Sequence, residues 1–144
     1  MGTARSLISL KKGALATLPP DASVLQAARL MNKRHIGSVL VVLDEALVGI
    51  FTERDVMRRV VAKGRDPDST CLVEVMTSPV ACASPETMCS EMRKVMRDKC
   101  IRHVPVVDDQ QVLLGMISIG DLNRNEIDVQ VETIRYLEQY MSVQ

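Results

Sequence analysis

Gly49-Ile50-Phe51-Thr52-Glu53-Arg54-Asp55, GIFTERD, decides how the rest of the chain is read. An apolar run ends in a hydroxyl residue, and a carboxylate follows three positions later. A buried strand that runs straight into a helix N-terminus has this pattern. Sixty-six residues on, Gly115-Met116-Ile117-Ser118-Ile119-Gly120-Asp121 repeats the order of glycine, two apolar residues, hydroxyl, two variable positions and aspartate. A stretch that occurs twice in 144 residues calls for comparing the whole chain with itself.

Shifted by 65 residues, ATLPPDASVLQAARLMNKRHIGSVLVV (16–42) lies over ACASPETMCSEMRKVMRDKCIRHVPVV (81–107). Pro20 meets Pro85, Met31 meets Met96, Ile36 meets Ile101, and Val41-Val42 meet Val106-Val107. One extra residue near Gln110-Gln111 brings the offset to 66 for the signature itself. Apolar residues at helical spacing predict helices over 22–34 and 86–99. Runs rich in β-branched residues predict strands at Ser38–Leu43 and His103–Val107, each followed by a partner at Leu47–Phe51 or Val112–Ile117. A second helix starts at Thr52 or Ser118. The lead-ins SLISLKKGALA (6–16) and LVEVMTSPVA (72–81) also run parallel and are expected to supply the first strand of each unit. The unit is therefore strand, helix, strand, strand, helix, in an α+β fold. Repeat one is expected over 7–63, a linker over 64–72, repeat two over 73–125 and a trailing helix over 126–144. One unit alone is too small to bury its apolar faces well; two stacked copies solve that.

Composition narrows the function. The chain is 47% hydrophobic but only 2% aromatic, with no Trp and zero net charge. Neither a phosphate backbone nor stacked bases find a partner in such a surface, which excludes nucleic acid as the main ligand. No apolar run reaches the roughly 20 residues of a membrane span, and no cleavable leader is visible, so a cytoplasmic protein is expected. Gly2 sits in a poor context for myristoylation. Cys71, Cys82, Cys89 and Cys100 form no C-x-x-C pair and are expected as buried thiols rather than metal ligands. No nucleophile–base set, metal-ligand spacing or P-loop is present, so the expected chain is non-catalytic and needs no cofactor.

GIFTERD and GMISIGD, together with RHVPVVDD (102–109), VMTSPV (75–80) and the matching helices, resemble the tandem CBS domain pair, named after cystathionine beta-synthase. The resemblance covers about residues 7–125 and is strongest to small stand-alone pairs. It implies a pseudo-two-fold disc with two clefts that take adenosine compounds: AMP, ADP, ATP, NAD(H) or S-adenosylmethionine. It also implies that two chains pair into a flat four-unit disc.

Candidate ligand residues follow. Free backbone N–H groups where Thr52 or Ser118 opens a helix favour an anion. A carboxylate one turn on, Asp55 or Asp121, can accept from vicinal ribose hydroxyls. The competing reading is a capping box, in which hydroxyl and acid satisfy each other's backbone N–H. Thr17, Ile36, Gly37 and Ser38 are candidates for an adenine slot in repeat one, and Cys82, Val104 and Pro105 in repeat two. In the family, basic residues at Arg102 and His103 face phosphates; the alternative is a solvated cation and a strand-edge histidine. Their counterparts Gly37 and Ser38 carry no charge, so the clefts are expected to be inequivalent, with the phosphorylated ligand in the second. Arg54, opposite Gly120 in the other copy, is either a phosphate contact or an exposed arginine. His35 reads as structural.

In the tail, Ile127, Val131, Ile134, Leu137 and Met141 form an amphipathic stripe. It either packs on its own domain or pairs with a second copy, and a homodimer is expected. The whole reads as an adenine-nucleotide-binding regulatory module that signals to a protein partner of unknown identity. A ligand-free scaffold is the other reading.

Overall fold

In a computed structural model, residues 2–11 and 13–143 are described. Lys12 of the expected lead-in and Gln144 of the expected tail helix lie outside the described residues. The order is α1 (Ala4–Leu10), β1 (Thr17–Leu18), α2 (Val24–Arg34), β2 (Ser38–Leu43), β3 (Ala46–Thr52), α3 (Glu53–Asp55) and a π-helical continuation over Val56–Val61. Then come α4 (Leu72–Val75), α5 (Cys89–Lys99), β4 (His103–Val107), β5 (Leu113–Ser118) and α6 (Ile119–Val143).

Each repeat builds its sheet in the same register. β2 and β3 pair antiparallel, as do β4 and β5, and both ladders slip by one residue opposite the signature glycine, between Val41/Val42 and between Val106/Val107. β1 adds in parallel through Leu18 and Val41, and in the second repeat the bridge between Ala83 and Val106 stands in its place. The four expected hairpin strands and the two main helices are present, within three residues at either end. α2 is held at its start by a Ser23–Gln26 capping box. α2 and α5 both end on a left-handed residue, His35 (φ 53°) and Cys100 (φ 54°). Neither is glycine, so each closure costs on the order of 1 kcal/mol.

The lead-ins differ from the expectation. Each is a helix rather than a strand, and each docks on the other repeat. Leu72 and Val75 of α4 complete the core of repeat one beside Ala27, Met31, Val39, Phe51 and Val60. Ala4 and Leu7 of α1 complete the core of repeat two beside Met92, Met96, Val104 and Ile117. Backbone bonds fix both crossings: Leu72 N–H donates to Ala22 O at 2.9 Å, and Ala4 N–H donates to Thr87 O at 2.8 Å.

The exchange explains the first letter of the signature. A Cβ on Gly115 would lie 2.9 Å from Ile8 Cγ2, and a Cβ on Gly49 would collide with Met76. Ile8 and Met76 occupy equivalent places in the two lead-ins. Glycine is needed at both positions because the exchanged helix lies directly against the strand.

Two more expectations change. Cys82 and Cys100 are exposed, and Cys71 and Cys89 half-buried. Cys71 caps α4, Cys89 opens α5 against the edge of the repeat-two core, and Cys100 closes α5, so these three thiols fall at helix ends. Beyond Asn125, α6 leaves the domain: residues 126–142 are exposed on every side. Packing of the tail stripe on its own domain is thereby overturned.

Candidate functional site

A cleft of about 790 Å³ opens between the repeats. From repeat one it receives Gly37, Ile50, the Thr52–Asp55 turn, Arg58 and Arg59. From repeat two it receives Lys99, Cys100, Ile101, Arg102 and His103, and the crossing segment adds Thr77 and Pro79. The strand end and the helix start therefore face the far end of α5 and the mouth of β4.

At the signature turn both capping boxes are formed. Asp55 N–H donates to Thr52 Oγ1 at 3.2 Å, and Thr52 N–H donates to Asp55 Oδ2 at 3.0 Å. In repeat two the matching distances are 3.1 Å to Ser118 Oγ and 2.8 Å to Asp121 Oδ2. Each aspartate is only 7% exposed. Their remaining partners differ. Thr77 Oγ1 donates to both Asp55 oxygens at 3.2 and 3.3 Å, and Arg59 Nε lies 3.6 Å from Oδ1. Asp121 instead receives the Lys11 ammonium at 2.9 Å and the Arg124 guanidinium. Desolvation raises the Asp121 pKa, but the Ser118 N–H and Lys11 outweigh it, so the net direction is down.

The cleft is cationic. Arg54 reaches across the repeats to Cys100 O at 3.3 Å, and Arg59 donates to Met76 O at 2.8 Å. Arg58, Lys99 and Arg102 take part in none of the side-chain hydrogen bonds or ion pairs found among the described residues. Against these five cations stand Glu53 and Asp55. His103 is half-buried; desolvation pushes its pKa down, with Lys11 and Arg102 acting the same way against Asp121 and Glu53. It is a neutral imidazole near pH 7, able to donate and accept. Gly37 packs against the Glu53 side chain: a Cβ there would lie 2.7 Å from Oε1, a contact the exposed carboxylate can relieve by turning away.

Of the sequence candidates, Gly37, Thr52, Arg54, Asp55, Arg102 and His103 converge here. Ile36 lines a neighbouring hollow of about 430 Å³, which shares the Gly37–Glu53 wall. Thr17 is exposed on β1, Ser38 is buried opposite Thr52, Cys82 is exposed, and Val104 and Pro105 are buried in β4. None of these five lines the cleft, nor do Ser118 and Asp121. Grouping Arg102 and His103 with the second signature is therefore corrected: their side of the cleft is shared with the first. Arg58, Lys99 and Thr77 were missed. Arg58 had a signal, since it lies one helical turn past Arg54.

The family model for the CBS domain matches residues 11–62 and 72–127. The chain belongs to the CBS domain family and carries two copies of the domain. It is 34% identical over 126 residues to the CBS domain-containing protein CBSX3, mitochondrial, of Arabidopsis thaliana, covering 84% of this chain and 61% of that one. It thus spans less than two thirds of that relative's length. The CBS-domain containing protein ATU1752 from Agrobacterium tumefaciens superposes with a TM-score of 0.79 at 30% identity, covering 87% of this chain and 99% of the other. The CBS domain protein PAE2072 from Pyrobaculum aerophilum, solved in complex with AMP, gives a TM-score of 0.73 at 26% identity over 83% and 88% of the two chains.

Proposed function

We propose that this chain is a non-catalytic regulatory module that binds one adenine nucleotide in the cleft between its repeats. The carrying observation is the convergence of Thr52, at the end of β3, and Asp55, in α3, with Arg58, Lys99 and Arg102. Asp55 accepts the ribose hydroxyls, displacing the Thr77 hydroxyl, while the three cations take the phosphates. Ala28, Met31, Ile36 and Val56 give the adjoining hollow an apolar wall suited to adenine. The AMP-bound Pyrobaculum relative supports this choice of ligand. Among AMP, ADP, ATP, NAD(H) and S-adenosylmethionine, the positive cleft favours the phosphorylated compounds over the sulfonium.

A ligand that touches both repeats favours the arrangement in which they are closed on it, and a protein partner reads that shift. Two chains pair through the apolar residues left outside, Val61 (70% exposed), its counterpart Ile127 (57%) and the stripe of α6. No described helix is long and apolar enough to cross a membrane, and the protein acts in the cytoplasm.

One observation favours the scaffold reading: both carboxylates are already satisfied by their capping boxes. A thermal shift series with AMP, ATP and NADH separates the two. At a hundredfold excess over Kd a nucleotide stabilises by about 2.7 kcal/mol, and Asp55→Asn removes that gain. A scaffold shows no shift with any nucleotide, and an enzyme converts the nucleotide, which chromatography detects.

A further inference from the structure

The two signature aspartates are equivalent in sequence but not in company. Lys11, which caps the C-terminus of α1, places its Nζ 2.9 Å from Asp121 Oδ2 and 2.9 Å from Met116 O. Both acceptors have repeat-one counterparts, Asp55 and Ile50, which line the cleft and are held there by the uncharged Thr77: its N–H donates to Ile50 O at 2.8 Å and its hydroxyl to Asp55. Counted from the exchanged lead-in helices, which match 68 residues apart, the counterpart of Lys11 is Pro79. Pro79 borders the repeat-one cleft without a charge or a side-chain donor.

We infer that Lys11 is a tethered cationic occupant of the repeat-two position, its ammonium holding by charge the acceptor set that in repeat one is held by the neutral Thr77, whose hydroxyl a ligand can displace. This inference rests on the reading of the repeat-one cleft as a nucleotide site. Its consequence is stoichiometry: each chain takes one nucleotide, although it carries two signatures. Lys11 is held in place by α1, whose Leu7 is buried in the repeat-two core and whose Ile8 lies against Gly115. A free ligand must therefore displace an ammonium ion-paired with Asp121 and kept at a high effective concentration, whereas in repeat one it displaces only a neutral hydroxyl. Arg124 holds the other oxygen of Asp121 but comes from α6 itself, so Lys11 is the donor that arrives from outside the repeat.

Isothermal titration of the full-length chain with AMP tests this. The wild type binds one AMP per chain and Lys11→Met binds two, and adding Asp121→Asn to Lys11→Met returns the count to one. The Lys11 side chain is 38% exposed, so the substitution empties no core; Lys11→Gln provides a second variant with the same expectation. Two AMP per wild-type chain, or one per chain in both Lys11 variants, overturns the inference and leaves the nucleotide cleft standing. No AMP bound to the wild type overturns the cleft reading, and this inference with it.

Discussion

Gly115→Ala probes the exchanged architecture at a single atom. The new Cβ would meet Ile8 Cγ2 at 2.9 Å, Cγ1 at 3.0 Å and Cδ1 at 3.2 Å, all on one side chain of α1. Overpacking of this kind costs about 1–3 kcal/mol. Replacing glycine where φ is not positive returns about 0.4–1 kcal/mol by stiffening the unfolded chain. The net expectation is a loss of about 1–2 kcal/mol, read in urea unfolding as a lower midpoint at unchanged m-value. The decisive comparison is the background. In Ile8→Ala the obstructing methyls are gone, so Gly115→Ala becomes neutral or stabilising by up to about 1 kcal/mol. A double-mutant cycle therefore gives a coupling of about 1–3 kcal/mol between residues 107 positions apart. Additive effects, within about 0.5 kcal/mol, would mean that α1 does not lie on β5 and would refute the exchange.

Three further outcomes are expected. Lys99→Ala and Arg102→Ala each weaken ATP binding by about tenfold, the size of one charge-assisted bond of about 1.5 kcal/mol, and both flatten its salt dependence in titrations at varied ionic strength; affinities unchanged in both variants would remove these cations from the site. Because the Asp121 pKa is lowered on folding, its contribution to stability is present above its unfolded value, near 3.8, and is lost as pH falls through the lower folded value. Acid titrations of the wild type and Lys11→Met should therefore diverge above pH 4, with the variant less stable, and converge at lower pH. Paired Ile134→Glu and Leu137→Glu substitutions on exposed positions of α6 leave the melting temperature within about 2 °C but convert a dimer to a monomer in light scattering; a dimer that survives them pairs elsewhere.

The strands were legible because their constraints are local. Runs such as Ser38–Leu43 and His103–Val107 carry three valines each and are bounded by turn residues, and the duplication doubled the signal. The direction of the lead-ins was not legible. α4 is only four residues long, too short for helical periodicity to separate it from a strand, and nothing in a local pattern says which repeat a helix will cover. The site was legible in parts: Thr52 and Asp55 by their spacing, Arg102 and His103 by resemblance. Their partnership was not, because it depends on α5 of one repeat ending opposite β3 of the other, as the bond from Arg54 to Cys100 O records. Lys11 gave no local signal at all, since its partner lies 110 residues away.

Crystals of the chain grown with saturating AMP test the central claim most directly. The account predicts nucleotide density in the inter-repeat cleft, with ribose oxygens on Asp55 in place of the Thr77 hydroxyl and the phosphate among Arg58, Lys99 and Arg102. An empty cleft under those conditions, with Thr77 still bonded to Asp55, would contradict it.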